Sequence, residues 1–219
     1  MELYTTRTCP YAHRTRLALL EKGLYCDHVE EDLSNKSARF LAVSPYGKVP
    51  ALGHDGTTIY ESLIINEYLD EVFPNPPLMP KDPVLRAKAR IWAHFCDNYY
   101  IADTSALVRT REPAEQRKLV AKVQDHMRFM EREGLAKLSA GGPYWLGENV
   151  SLLDLAWHPF FERLPALTHW RGLAIPDDCP RLAAWREAMA ERPSVKEIAH
   201  DGEFYIAHYA ARAGEVIAA

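Results

Sequence analysis

The run Thr8-Cys9-Pro10-Tyr11-Ala12-His13-Arg14-Thr15-Arg16 carries the chain's clearest chemistry. It follows a short apolar strand segment, Leu3-Tyr4, and leads into a helical pattern over Thr15 to Lys22. Proline fits the first position of a helix, where its missing N–H has no intrahelical bond to lose. Cys9 is therefore expected at the helix N-cap or just before it. There the unpaired N–H groups and the positive end of the helix dipole face its sulfur and favour thiolate over thiol. Arg7, Arg14 and Arg16 add positive charge if they turn toward it. A free cysteine is usually a small buried hydrophobe, but a Cys-Pro pair at a strand-to-helix turn argues for chemistry. Position 12 is Ala, so there is no Cys-x-x-Cys redox pair and no resolving thiol in the same turn. A disulfide at Cys9 needs a partner from elsewhere, most simply a soluble thiol.

Other stretches could hold such a partner. An extended peptide needs main-chain partners, which an unpaired strand edge supplies. The segment ending in Val49-Pro50 reads as such an edge, because proline cannot sit in a central ladder. Glu61-Ser62 opens a helix with a hydroxyl and free N–H groups, which suits a carboxylate; a plain N-cap is the alternative role for Ser62. Lys36 and Lys48 could neutralise a second carboxylate, although a lone lysine is more often a solvated surface charge. Together these features fit a thiol tripeptide with a carboxylate at each end.

The elements that must position these residues can be read in order. Residues 1–6 and about 25–31 read as strands around the Cys9 helix, a βαβ unit with parallel strands. A short helix reaching Ala42 and the turn Ser44-Pro45-Tyr46-Gly47 follow. The apolar stretch Val49–Leu52, a hairpin turn at His54–Thr57 and a return strand Thr58–Tyr60 come next. Leu63, Ile64, Tyr68, Leu69 and Val72 then share one helical face. The order βαβ, then αββα, is that of the thioredoxin-like fold over residues 1–73. Five prolines between Pro74 and Pro83 bar a helix and mark a linker, 74–83. Residues 84–219 read as an all-α domain. One long helix covers about 84–109, bent near Asp97-Asn98, and another about 113–138. Ser151-Leu152-Leu153-Asp154 is a capping box, with Val150 and Leu155 as a hydrophobic staple. Its helix runs to about Leu164, with Pro159 expected to kink it. Further helices open at Cys179-Pro180, Pro193 and Asp201.

Composition sets limits. The 219 residues are 47% apolar and 26% charged, as in ordinary globular proteins. A net charge of −4 argues against a nucleic-acid surface. No apolar run approaches the roughly 18 residues of a membrane helix. Cys9, Cys26, Cys96 and Cys179 are widely spaced and lack metal-ligand spacing. With no signal-like stretch at Met1-Glu2-Leu3-Tyr4, the expectation is a cytoplasmic protein without metal, nucleic-acid or membrane partners.

Three segments carry a resemblance. Cys9-Pro10-Tyr11-Ala12-His13-Arg14-Thr15-Arg16-Leu17, Pro45-Tyr46-Gly47-Lys48-Val49-Pro50, and Tyr60-Glu61-Ser62 with Glu67-Tyr68-Leu69-Asp70-Glu71 resemble the cytosolic glutathione transferases, and within them the omega class. Asn35-Lys36, Phe160–Leu164 and the Trp185 stretch match the same class. The resemblance spans nearly the whole chain. It implies glutathione as co-substrate and Cys9 as the catalytic cysteine that forms a mixed disulfide with it. Tyr11, where the family usually has Phe, would pack beside the glutathione sulfur. Lys36, helped by Lys48, would pair with the glycine carboxylate. Val49, before a cis Pro50, would bind the cysteinyl backbone, and Glu61 and Ser62 the γ-glutamyl end. Tyr99, Tyr100, Phe161 and Trp185 would line a second-substrate pocket. A homodimer is implied. His13 replaces a usual acid, which would change surface charge near the site.

A cysteine changes the expected reaction. Conjugating transferases use a Tyr or Ser hydroxyl to donate a hydrogen bond to the glutathione thiolate, and a thiol donates weakly. A thiolate is itself a strong nucleophile, so the expected activity is thiol transfer: deglutathionylation and dehydroascorbate-type reduction. The alternatives are a conjugating transferase, for which Tyr4 is the rival activator unless it is core, a reductase of glutathionyl-quinones or related aromatics, and a non-catalytic partner-binding protein of the same fold.

Overall fold

The computed structural model describes residues 1–214. It divides into two units, Met1–Lys81 and a second beginning at Asp82.

The first unit is built in the expected order: β1 (Glu2–Thr5), α1 (Pro10–Glu21), β2 (Asp27–Glu30), α2 (Ala38–Val43), β3 (Ala51–His54), β4 (Thr57–Tyr60) and α3 (Ser62–Val72). The sheet order is β2-β1-β3-β4, with β1 parallel to β2 and antiparallel to β3. Successive strand side chains point to opposite faces, so Leu3 and Tyr4 serve different cores. Leu3 joins Leu19, Leu52, Ile65 and Leu69; Tyr4 joins Ala12, Phe40, Val49 and Ala51. The helix predicted over Thr15–Lys22 starts five residues earlier, because Pro10 already occupies its first turn.

The linker is anchored to this unit. The Lys22 ammonium, its side chain fully buried, donates to Asp70 at 2.7 Å and to the Pro76 carbonyl at 2.8 Å. The Asp70 carboxylate also accepts the backbone N–H groups of Leu78 and Met79, at 2.8 and 3.0 Å. One ion pair thus holds residues 76–79 to the end of α1 and to α3, within the unit Met1–Lys81.

Among the described residues the second unit has no strand. Its helices are α4 (Pro83–Phe95), α5 (Ile101–Arg109), α6 (Pro113–Phe129), α7 (Ala136–Leu138), α8 (Leu152–Glu162), α9 (Leu164–Arg171), α10 (Pro180–Ala190), α11 (Pro193–Ile198) and α12 (Gly202–Ala213). The two long predicted helices are each interrupted by a π-helical turn, Cys96–Tyr100 and Met130–Leu135. The first includes the Asp97-Asn98 position where a bend was expected. The capping box forms: the Asp154 carboxylate accepts the Ser151 N–H at 2.8 Å and the Ser151 hydroxyl at 2.6 Å. It also accepts the Trp145 N–H at 2.9 Å and Trp185 Nε1–H at 2.8 Å, four donors on one buried carboxylate. Pro159 sits inside α8 without ending it. The separate helix α9 was not expected; Pro165 in its first turn restarts the helix after Arg163.

Candidate active site

Cys9 is the N-cap of α1, with extended backbone angles (φ −76°, ψ 119°) and Pro10 next in the helix. Its partly buried Sγ accepts the Ala12 N–H at 3.5 Å and lies 3.7 Å from the Val49 carbonyl oxygen. An N-cap acceptor replaces a hydrogen bond that the helix cannot make internally. A sulfur in that place sits at the positive end of the helix dipole.

Val49 arrives from the other side of the chain. The Val49-Pro50 peptide bond is cis, and Val49 packs in the same buried cluster as Ala12, with Cys9 against it. The preceding turn is set by Ser44, whose hydroxyl accepts the Lys48 N–H at 3.0 Å and donates to the Lys48 carbonyl at 2.7 Å. Gly47 has φ +57°, which favours glycine. A Cβ there would also sit 3.0 Å from Lys36 Nζ, so Lys36 lies directly over this turn. Lys36 and Lys48 are both exposed.

Ser62 is the first residue of α3, and Glu61 before it is a non-glycine residue at φ 72°. Strained backbone of this kind persists only where its surroundings hold it. The hydroxyl of the buried Ser62 accepts Arg14 Nη1–H at 3.4 Å, and the Arg14 guanidinium carbon lies 5.2 Å from the centre of the Tyr11 ring. Arg14 itself is fully buried, and Asn66 Nδ2 donates to its carbonyl at 3.3 Å. Tyr11, Arg14 and Ser62 thus form one chain of contacts that begins two residues from Cys9.

Of the sequence-predicted residues, Cys9 and Val49 meet directly, with Pro50 next to them. Tyr11 and Ser62 meet through Arg14. Lys36 stands over the turn that leads to Val49, and Glu61 precedes Ser62. Three of the four residues expected beside a second substrate are buried. Tyr100 and Phe161 are fully buried and stack on each other, 5.3 Å apart at 14°. Trp185 is buried edge-on to Phe161 with its Nε1–H committed to Asp154. These side chains are core, and burial pushes the Tyr100 hydroxyl above the usual phenol range. Tyr99 alone of the four is exposed, at 51%, stacked on Phe95. His13 is buried as well, so it does not change the surface charge. Tyr4 is buried and stacked on Phe40.

Sequence reasoning noted Arg14 and Arg16 only as charges. The missed signal is two arginines at i and i+2 in a helix whose neighbours, Ala12, Leu17, Ala18 and Leu19, are core residues. Such a helix buries at least one of them, and here both are buried. Burial pushes Cys26 and Cys179 up to about 11, and Cys96 is fully buried. No group of three or more His, Cys, Asp or Glu residues suited to a metal ion occurs among the described residues.

Residues 3–77 match the family model described as "Glutathione S-transferase, N-terminal domain", and residues 95–198 the corresponding C-terminal domain. The chain is 34% identical over 195 residues to glutathione S-transferase U19 of Arabidopsis thaliana, an alignment covering 88% of this chain and 86% of that protein. A Tau class glutathione S-transferase from mango superposes with a TM-score of 0.89 at 29% identity, covering 94% and 96% of the two chains. Glutathione transferase Omega 3C from Trametes versicolor superposes at 0.84 with 30% identity, covering 96% and 90%. The likeness thus reaches both Tau and Omega members without selecting the class expected from the motifs. The two-part architecture, the paired family models and relatives matched over most of their length agree, and the chain belongs to the glutathione S-transferase family.

Proposed function

We propose that this protein is a glutathione-dependent thiol transferase in which Cys9 forms a mixed disulfide with glutathione. One observation carries the reading: a partly exposed cysteine sulfur at the N-cap of α1, accepting the Ala12 N–H and lying beside Val49. The glutathione cysteinyl backbone would pair with Val49. Its γ-glutamyl end would meet Glu61 and Ser62, and its glycine carboxylate Lys36 and Lys48. The Cys9 thiolate attacks the glutathionyl sulfur of a mixed-disulfide substrate, whose own sulfur leaves as a thiolate and takes a proton from water. A second glutathione thiolate attacks the Cys9 adduct, freeing Cys9 and producing oxidised glutathione. Cytoplasmic location and a homodimeric working form complete the proposal.

Conjugation is the second reading, favoured by the names of the Arabidopsis and mango relatives. Tyr4 is too buried to serve it, so Cys9 would have to orient the glutathione thiolate. Substitution separates the two. Cys9→Ala is expected to lower thiol transfer at least about a hundredfold, since the covalent route is lost. Mass spectrometry after exposure to oxidised glutathione should show one adduct, on Cys9. Full thiol transfer by Cys9→Ala would overturn the proposal, and Cys9→Ser with undiminished aromatic-halide conjugation would favour the conjugating reading. A chain that fails to bind immobilised glutathione would instead belong to the non-catalytic relatives.

A further inference from the structure

The two buried arginines of α1 reach different parts of the site. Arg14 turns toward Ser62. Arg16 turns back under the loop between β1 and α1. Its Nη1 donates to Thr5 Oγ1 and to the Thr6 carbonyl, each at 3.0 Å, and its Nη2 donates to the Arg7 carbonyl at 3.2 Å. The Thr6 carbonyl also accepts the backbone N–H of Cys9, at 3.2 Å. A single carbonyl therefore joins the guanidinium to the residue that carries the sulfur.

We propose that Arg16 is a positioning residue for the Cys9 sulfur, fixing the Thr6 and Arg7 carbonyls so that the loop delivers Cys9 to the helix N-terminus. The inference rests on the reading of Cys9 as nucleophile and deepens it. The loop from Thr6 to Thr8 lies outside β1 and α1, so its path depends on side-chain hydrogen bonds. A guanidinium is a planar fork that can satisfy several acceptors in a fixed arrangement, whereas an ammonium acts as a point donor. Without the fork, the Thr6 carbonyl loses the donor that braces it beside its bond from Cys9, and that anchor loosens. The Arg16 bonds described above go to Thr5 and to the Thr6 and Arg7 carbonyls, none of which is a group assigned to glutathione. Its loss should therefore slow the reaction at sulfur without weakening glutathione binding.

The test is the rate at which oxidised glutathione forms the Cys9 mixed disulfide, followed by mass spectrometry, together with kcat and KM for glutathione in thiol transfer. In this exchange a new bond joins Cys9 Sγ to one glutathionyl sulfur, and the other leaves as a thiolate that is protonated by water. Arg16→Met is expected to slow adduct formation roughly ten- to hundredfold, the range that small misplacements of a reacting atom produce. KM for glutathione should stay within about twofold. Arg16→Lys should recover part of the rate. A wild-type rate in Arg16→Met, or a loss confined to KM, overturns the proposal. If Arg16→Met does not fold, Arg16→Lys decides: a slower rate at unchanged KM supports the role, and a wild-type rate overturns it. An adduct on another residue of the wild-type protein removes the nucleophile reading and this inference with it. A Cys9 adduct with rates indifferent to Arg16 removes the inference alone.

Discussion

Two Cys-Pro pairs open helices in this chain, and their surroundings differ. At α1 the Ala12 N–H points at the Cys9 sulfur. At α10 the corresponding N–H groups are taken by a carboxylate: Glu131 accepts from Arg181 at 3.2 Å and from Leu182 at 2.9 Å. Cys179 is left buried, and burial, with Asp178 and Glu131 acting in the same direction, pushes its thiol up to about 11. Cys26 is pushed up to a similar value, again chiefly by burial. Thiolate is the reactive form. Iodoacetamide applied to the native protein near pH 7 should therefore label Cys9 first, and peptide mapping should find Cys26 and Cys179 unlabelled at that stage. Equal labelling of Cys9 and Cys179 would contradict this account. The dipeptide was legible at both places, whereas Glu131, 48 residues before Cys179 in sequence, was not. What distinguishes the surroundings of the two cysteines is a tertiary partner of α10.

At the scale of elements, local signals served well and packing filled in the rest. Ser151 and Asp154 spell a capping box in four residues, so the start of α8 was readable. That the same carboxylate also holds Trp145 and Trp185 was not, because both lie outside the box. The strands followed from short apolar stretches and the hairpin turn; α3 forms, but it buries Ser62, Ile65, Asn66 and Leu69, while Ile64 and Val72 of the expected apolar face are exposed. The two π-helical turns had no such signal, beyond the bend expected near Asp97-Asn98. In the second of them Gly134 lies against indole rings: a Cβ there would sit 2.4 Å from Trp145 Cζ3 and 3.0 Å from Trp92 Cζ2. Trp145 is buried and stacked on Trp157, so it has no room to yield. Gly134→Ala, a favourable change for helix propensity, is instead expected to destabilise the protein by about 1–3 kcal/mol through overpacking. Urea unfolding would check this, and a gain in stability would show that the rings can shift. Tyr100, Phe161 and Trp185, expected beside a second substrate, lie in the core for a related reason. Tyr99 and Tyr100 are adjacent, and sequence alone does not tell which side of the interrupted helix faces the core.

At the scale of the whole molecule, the Lys22–Asp70 pair fastens the stretch that leads to the boundary between the units. The prolines suggest a linker over 74–83, and the Lys22–Asp70 pair ties residues 76–79 of that stretch to the first unit. Removing one partner of a buried pair leaves the other charge uncompensated, which costs roughly 3–5 kcal/mol. Asp70→Ala is accordingly expected to lower stability by that order and to release the Leu78 and Met79 N–H groups. Limited proteolysis should then cut within residues 74–81, and the wild-type protein should resist there. Unchanged stability and resistance would mean that the linker is held by other means.

The same anchor bears on recombination between relatives. A chimera joined at Phe73 would import foreign residues in place of the carbonyl and amides that clasp Lys22 and Asp70, even though no helix is severed. Grafts made after Lys81 carry the clasp intact, so the natural seam for exchanging helical halves lies eight residues beyond the place that prolines and helix ends suggest.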